Sequence, residues 1–150
     1  MVDSAQNRTK VFLDTYVTGT GITKDDGITQ APIIKAFDLP DYPLSRVFID
    51  KAIDVIFSIG QATSSALIDS DHYPLGYREH VPISVFAMDK TGITGIKVLE
   101  KAEAVMRAAF EANPIASLRR VSGMKPLTER IGGAYLWACE YSLDYERGLT

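Results

Sequence analysis

The chain has 150 residues, 46% of them hydrophobic and 23% charged. That is the size and make-up of a single domain, with a core large enough to need no metal or disulfide staple. A net charge of −3 gives no electrostatic case for direct nucleic-acid binding, whose domains carry a basic face. One cysteine, Cys139, excludes an internal disulfide and suits a reducing compartment. No run approaches the ~20 apolar residues of a membrane span, and the polar residues 1–10 lack the apolar core of a signal peptide.

In chain order, residues 4–17 read as a short helix capped by Asp3 or Ser4, with Phe12/Tyr16 and Leu13/Val17 spaced by four. Val11, Leu13 and Val17 also alternate, so a strand is an open alternative. Residues 18–30, with Gly19, Gly21 and Gly27, read as a flexible loop. Ile33 and Ile34 make a brief strand before Pro40 and Pro43, and residues 54–60 form the clearest strand of the first half. A polar stretch follows at 61–79, punctuated by Pro74 and Gly76, and is read as a second long flexible loop.

The second half is better patterned. Residues 80–89 form a strand that is apolar on both faces, which places it centrally. Thr94 then caps a helix running to Ala112, with Leu99, Met106 and Phe110 on its apolar half. A strand over 118–128 and a long strand over 134–147 form a hairpin around Gly132 and Gly133. In the last strand Tyr135, Trp137, Cys139, Tyr141, Leu143 and Tyr145 share one face; Glu140, Ser142, Asp144 and Glu146 share the other. The expected class is α+β: a mostly antiparallel sheet with one long amphipathic helix in a β-α-β-β block, plus a short N-terminal helix, as one domain over 1–150.

Chemistry is harder to find. Gly19 and Gly21 ahead of Lys24 lack the spacing of a phosphate loop, and Asp25 and Asp26 repel an anion. Asp69, Asp71 and His72 begin like a calcium loop, but its later ligands are missing. Two histidines and one cysteine are too few for a structural zinc site. No G-x-S-x-G elbow raises a serine into a nucleophile. The expectation is therefore no cofactor, no metal and no catalytic site. The competing reading is a small enzyme or ligand-binding domain with Asp71, His72 and His80 lining a cleft.

Three stretches carry a resemblance: Arg78-Glu-His-Val-Pro-Ile-Ser-Val-Phe-Ala-Met88, the helix over 95–110, and Leu143-Asp-Tyr-Glu-Arg147. In their order the chain resembles the tail-terminator and tail-completion proteins of long-tailed bacteriophages, over roughly residues 50–150. The resemblance implies a non-enzymatic structural protein of the virion tail, assembled in the host cytoplasm. It implies a ring, commonly a hexamer, that terminates the tail tube and joins it to the head connector or stopper protein. Its partners would be itself, the tail tube protein and the connector, with no membrane. Candidate assembly contacts are Asp71, His72, Tyr77 and Arg78 in the 61–79 loop and Arg119, Arg120 and Arg130. To these the last strand adds Glu140, Asp144 and Glu146, carboxylates expected to meet those arginines on a neighbouring subunit.

Overall fold

Two fifteen-residue strands build the centre of the fold: β4 (Pro74–Met88) and β7 (Ala134–Gly148). They pair antiparallel from Gly76↔Gly148 to Met88↔Leu136. In this computed structural model, which describes residues 4–17, 22–36, 48, 53–68, 74–90 and 94–148, the rest of an α+β architecture is laid on that pair. Among the described residues it comprises seven strands in one mixed sheet and two helices. β2 (Val55–Ile59) and β3 (Thr63–Ile68) share the outer side of β4, while β5 (Ser117–Arg120) and β6 (Lys125–Ile131) share the outer side of β7. β1 (Ile33–Ala36) adds to β2 in parallel; every other pairing is antiparallel.

One face of the sheet is covered by helices. α1 (Ala5–Tyr16) and α2 (Gly95–Ala112) bury Phe12, Leu13, Leu99, Met106 and Phe110 against Val81, Ile83, Val85, Cys139, Tyr141, Leu143 and Tyr145. Phe12 stacks on Phe110 with ring centroids 4.2 Å apart. The Thr9 hydroxyl meets the Tyr145 hydroxyl at 2.8 Å, satisfying a buried phenol. On the opposite face a smaller cluster of Phe48, Ile53, Ile56, Met88 and Leu136 covers one end. The other end of that face is polar.

Pro82 sits inside a central strand, where a missing N–H is normally excluded. The neighbouring chain accommodates it. Between the pairs Ile59↔Ile83 and Thr63↔His80, residues 60–62 face only 81–82, so one extra residue forms a bulge that separates β2 from β3. The Gly60 N–H donates to the Pro82 carbonyl at 2.8 Å, and a Cβ at Gly60 would lie 2.7 Å from Pro82 Cγ. Glycine is needed there for the close approach.

Several expectations change. At 4–17 the helix wins over the strand, because the Ser4 hydroxyl accepts the Asn7 N–H at 3.1 Å and the face that repeats at three and four reaches the core. The loop expected at 61–79 is largely strand: β3 and the first half of β4 pair from Thr63↔His80 to Ile68↔Pro74. Thr63, Ser64, Ser65 and Ala66 are all exposed, so no burial period marks β3. Asp71 and His72 lie outside the described residues. Residues 22–30 form a tight turn, with a Thr23↔Gln30 bridge and Gly27 at a φ of 73°. Asp25 accepts the Thr94 N–H and hydroxyl, and Lys101 donates to the carbonyls of Thr23 and Lys24, so this segment is tied to α2.

Thr94 caps α2 by position, yet its own side chain makes no capping bond. Asp25 and Asp89 take that part, the latter accepting the Gly95 N–H at 2.8 Å. The strand expected over 118–128 is broken into β5 and β6, so three strands follow α2 rather than two. Between them Val121 and Ser122 both donate to the Glu140 carbonyl. The hairpin turn falls where Gly132 and Gly133 adopt φ of 58° and 83°.

Two stability outcomes follow. Phe110→Ala should cost about 3–5 kcal/mol in equilibrium denaturant unfolding, since the ring is buried and stacked. Gly60→Ala should destabilise by about 1–3 kcal/mol, and an unchanged unfolding midpoint would show that the Pro82 contact yields without cost.

Candidate functional site on the helix-free face

Even-numbered residues of β4 and β7 point away from the helices, because the odd-numbered ones line the main core. Register then sets a polar row across the sheet: Thr63 opposite His80, His80 opposite Asp144, and Asp144 opposite Ser117. The bulge at residues 60–62 moves odd-numbered Thr63 and Ser65 onto this face, although even-numbered Ile56 and Ser58 occupy it in β2.

The row closes a hydrogen-bonded chain. Ser65 Oγ lies 3.1 Å from His80 Nε2, and His80 Nδ1 lies 2.6 Å from Asp144 Oδ1. A carboxylate only accepts, so Nδ1 carries a proton and donates it; in the tautomer with its single proton there, Nε2 accepts from the Ser65 hydroxyl. Asp144 also accepts from Ser142 Oγ at 2.9 Å and from Arg119 Nε at 3.4 Å. Burial alone would raise the Asp144 carboxyl, but the bonds from His80, Ser142 and Arg119 outweigh it and hold it below the usual carboxylate range. Beside this row opens a cleft of about 340 Å³, whose walls include Gln61, Thr63, His80, Pro82, Val121 and Glu140.

The candidate residues divide. Arg78, Arg119, Glu140, Asp144 and Glu146 all fall on this face, as their strand positions dictate. Their charges are mostly spent inside the chain, with Arg78 on Glu146 at 2.8 Å and Arg119 on Asp144. Glu140 is the carboxylate of that row with no ion pair among the described residues. Tyr77 takes the helix side of β4 and is partly exposed. Arg120 also points to the helix side, where it pairs with Glu103 together with Arg107. Arg130 stacks on Tyr135 at 4.2 Å and donates to its hydroxyl at 2.7 Å. His80, expected to line a cleft with Asp71 and His72, does line one, with Ser65 and Asp144 as its partners. Ser65 carries no signal in the sequence, because only the bulge brings it to His80.

Among the described residues no cluster of three or more His, Cys, Asp or Glu could hold a metal ion. Nor is any described helix long and apolar enough to cross a membrane. A comparison with protein-family models finds none that matches the chain, and a comparison with curated proteins finds no match either.

Glu103 is the second charged centre. Burial pushes its carboxyl up, yet hydrogen bonds from Arg120 and Arg107 prevail and keep it below its ordinary value. A carboxyl depressed in the folded state stabilises the fold above the unfolded-state value and loses that contribution as pH falls towards the folded one. Unfolding stability should therefore drop as pH falls below about 4.3. Glu103→Gln should be weaker than wild type near neutrality and show a shallower acid limb; identical pH profiles would remove Glu103 from the acid response.

Proposed function

We propose that the chain is a structural assembly subunit of a phage-like tail, a ring-forming tail terminator that closes the tube and presents a surface to the head connector. The observation that carries this reading is a pair of open edges on opposite sides of one sheet. β3 pairs only with β4, and β5 and β6 pair only with β7, among the described residues. Unpaired strand edges are templates for adding another chain. Two different edges on one subunit supply the heterologous contact that a closed ring requires.

The element order supports the same reading: β4, the eighteen-residue α2, then strands that close on the long acidic and aromatic β7. It has one strand more than the β-α-β-β order on which the resemblance to tail-terminator proteins rests, and a ring of six is the form that resemblance implies. Exposed apolar side chains stand near one open edge, with Val121 52% and Tyr135 42% exposed. Of the carboxylates and arginines expected to meet across subunits (Glu140, Asp144, Glu146, Arg119, Arg120 and Arg130), Asp144, Glu146, Arg119 and Arg120 already have ion-pair partners within the chain, so this reading adds contacts through strand edges and these apolar residues. The partners are a second copy of the chain, the tail tube protein and the connector or stopper, in the virion tail assembled in the host cytoplasm.

The test is imaging of particles produced without this protein. Tails of irregular length that fail to join heads are expected. Uniform tails joined to heads would overturn the reading.

A further inference from the structure

The hydrogen-bonded row on the helix-free face has the connectivity of a nucleophile, a base and an orienting carboxylate, in the order Ser65, His80, Asp144. Such sites are recognised by geometry and roles rather than by position in the chain. We propose that these residues hydrolyse small activated carboxylic esters, with Ser65 as nucleophile, His80 as general base and Asp144 as a positioning residue. This activity is independent of the assembly reading.

Three features support it. The Ser65 hydroxyl is exposed and within hydrogen-bond reach of Nε2, the ring nitrogen left free to accept. Asp144 is itself fixed by Ser142 and Arg119, so the imidazole is held in one tautomer and one orientation. A cleft of about 340 Å³ is lined by His80, Thr63, Pro82 and Val121 among others, so that His80 is the residue shared by the cleft and the Ser65 hydrogen bond. That volume is at the small end for ligand sites and suits a short apolar acyl group.

The step balances without a co-reactant other than water. Ser65 Oγ bonds to the ester carbonyl carbon while its proton passes to His80 Nε2. The tetrahedral adduct collapses, the carbonyl carbon–oxygen bond to the leaving alcohol breaks, and His80 returns the proton to that oxygen. Water then attacks the acyl-Ser65 ester, giving its proton to His80; the acid departs and Ser65 Oγ recovers the proton. The Thr63 hydroxyl, on the same face of β3 and on the cleft wall, is a donor for the developing oxyanion.

The experiment uses the full chain, p-nitrophenyl butyrate as substrate and a fluorophosphonate as covalent probe, with the labelled peptide located by mass. Wild type should carry the label on Ser65. Ser65→Ala should lose the label and lower kcat/KM on the order of 10²-fold, and His80→Gln should do the same. Asp144→Asn should lower kcat with KM unchanged, a split that a loosened fold would not give. Ser65 is on the surface, so its variant keeps the wild-type thermal midpoint. No label on wild type, a label elsewhere, or hydrolysis retained in Ser65→Ala would each overturn the proposal.

Discussion

The antiparallel union of β4 and β7 is the constraint on which the molecule depends. Because the two strands run together from Gly76↔Gly148 to Met88↔Leu136, one register decides both faces of the sheet. A slip of one residue would send Cys139, Tyr141, Leu143 and Tyr145 to the helix-free face and bury Glu140 and Asp144 under α2. The apolar side chains on the helix face make that slip prohibitive. The same register that builds the core therefore also aligns His80 with Asp144, and the polar row is a by-product of how the core is locked.

Secondary structure was most readable where one pattern had no rival. The alternation of β7 and the half-apolar wheel of α2 were both visible, since each lays a continuous apolar stripe on the core. The hairpin of β3 with the start of β4 was not. Thr63, Ser64, Ser65 and Ala66 are all exposed, so no burial period marks the strand, and among the described residues its only strand partner is β4. The break between β5 and β6 has one signal, the turn dipeptide Ser122-Gly123, which a continuous strand over 118–128 overrides; Val121 and Ser122 there bond to Glu140.

The polar site was legible only in its parts. His80 and Asp144 each stood out as single residues, and the alternation of β7 put Ser142 and Asp144 on one side. Nothing local joined them to Ser65. That link depends on Gly60, Pro82 and the extra residue between β2 and β3, which together shift the parity of β3. The bulge is physically simple: Pro82 has no N–H to donate to the ladder, and the neighbouring strand bends where that bond is missing. Sequence reasoning sees the proline and the glycine, but not that they face each other.

Charge arithmetic on the helix-free face also limits how subunits can meet. An exposed ion pair such as Arg78–Glu146 contributes only about 0–1 kcal/mol, so exchanging it for an equivalent pair on a neighbour gains almost nothing. Asp144 is held by three donors and is costlier to strip, since any one lost leaves a partly buried carboxylate short of a partner. Backbone edges differ in kind. Among the described residues their outward N–H and C=O groups have no strand partner to give up, and each strand-to-strand bond exchanges only water. Apolar contact at Val121 and Tyr135 adds the desolvation that a polar edge lacks. In the proposed assembly, contact through the edges would leave the row from Ser65 to Arg119 intact, on a face that the edges do not use.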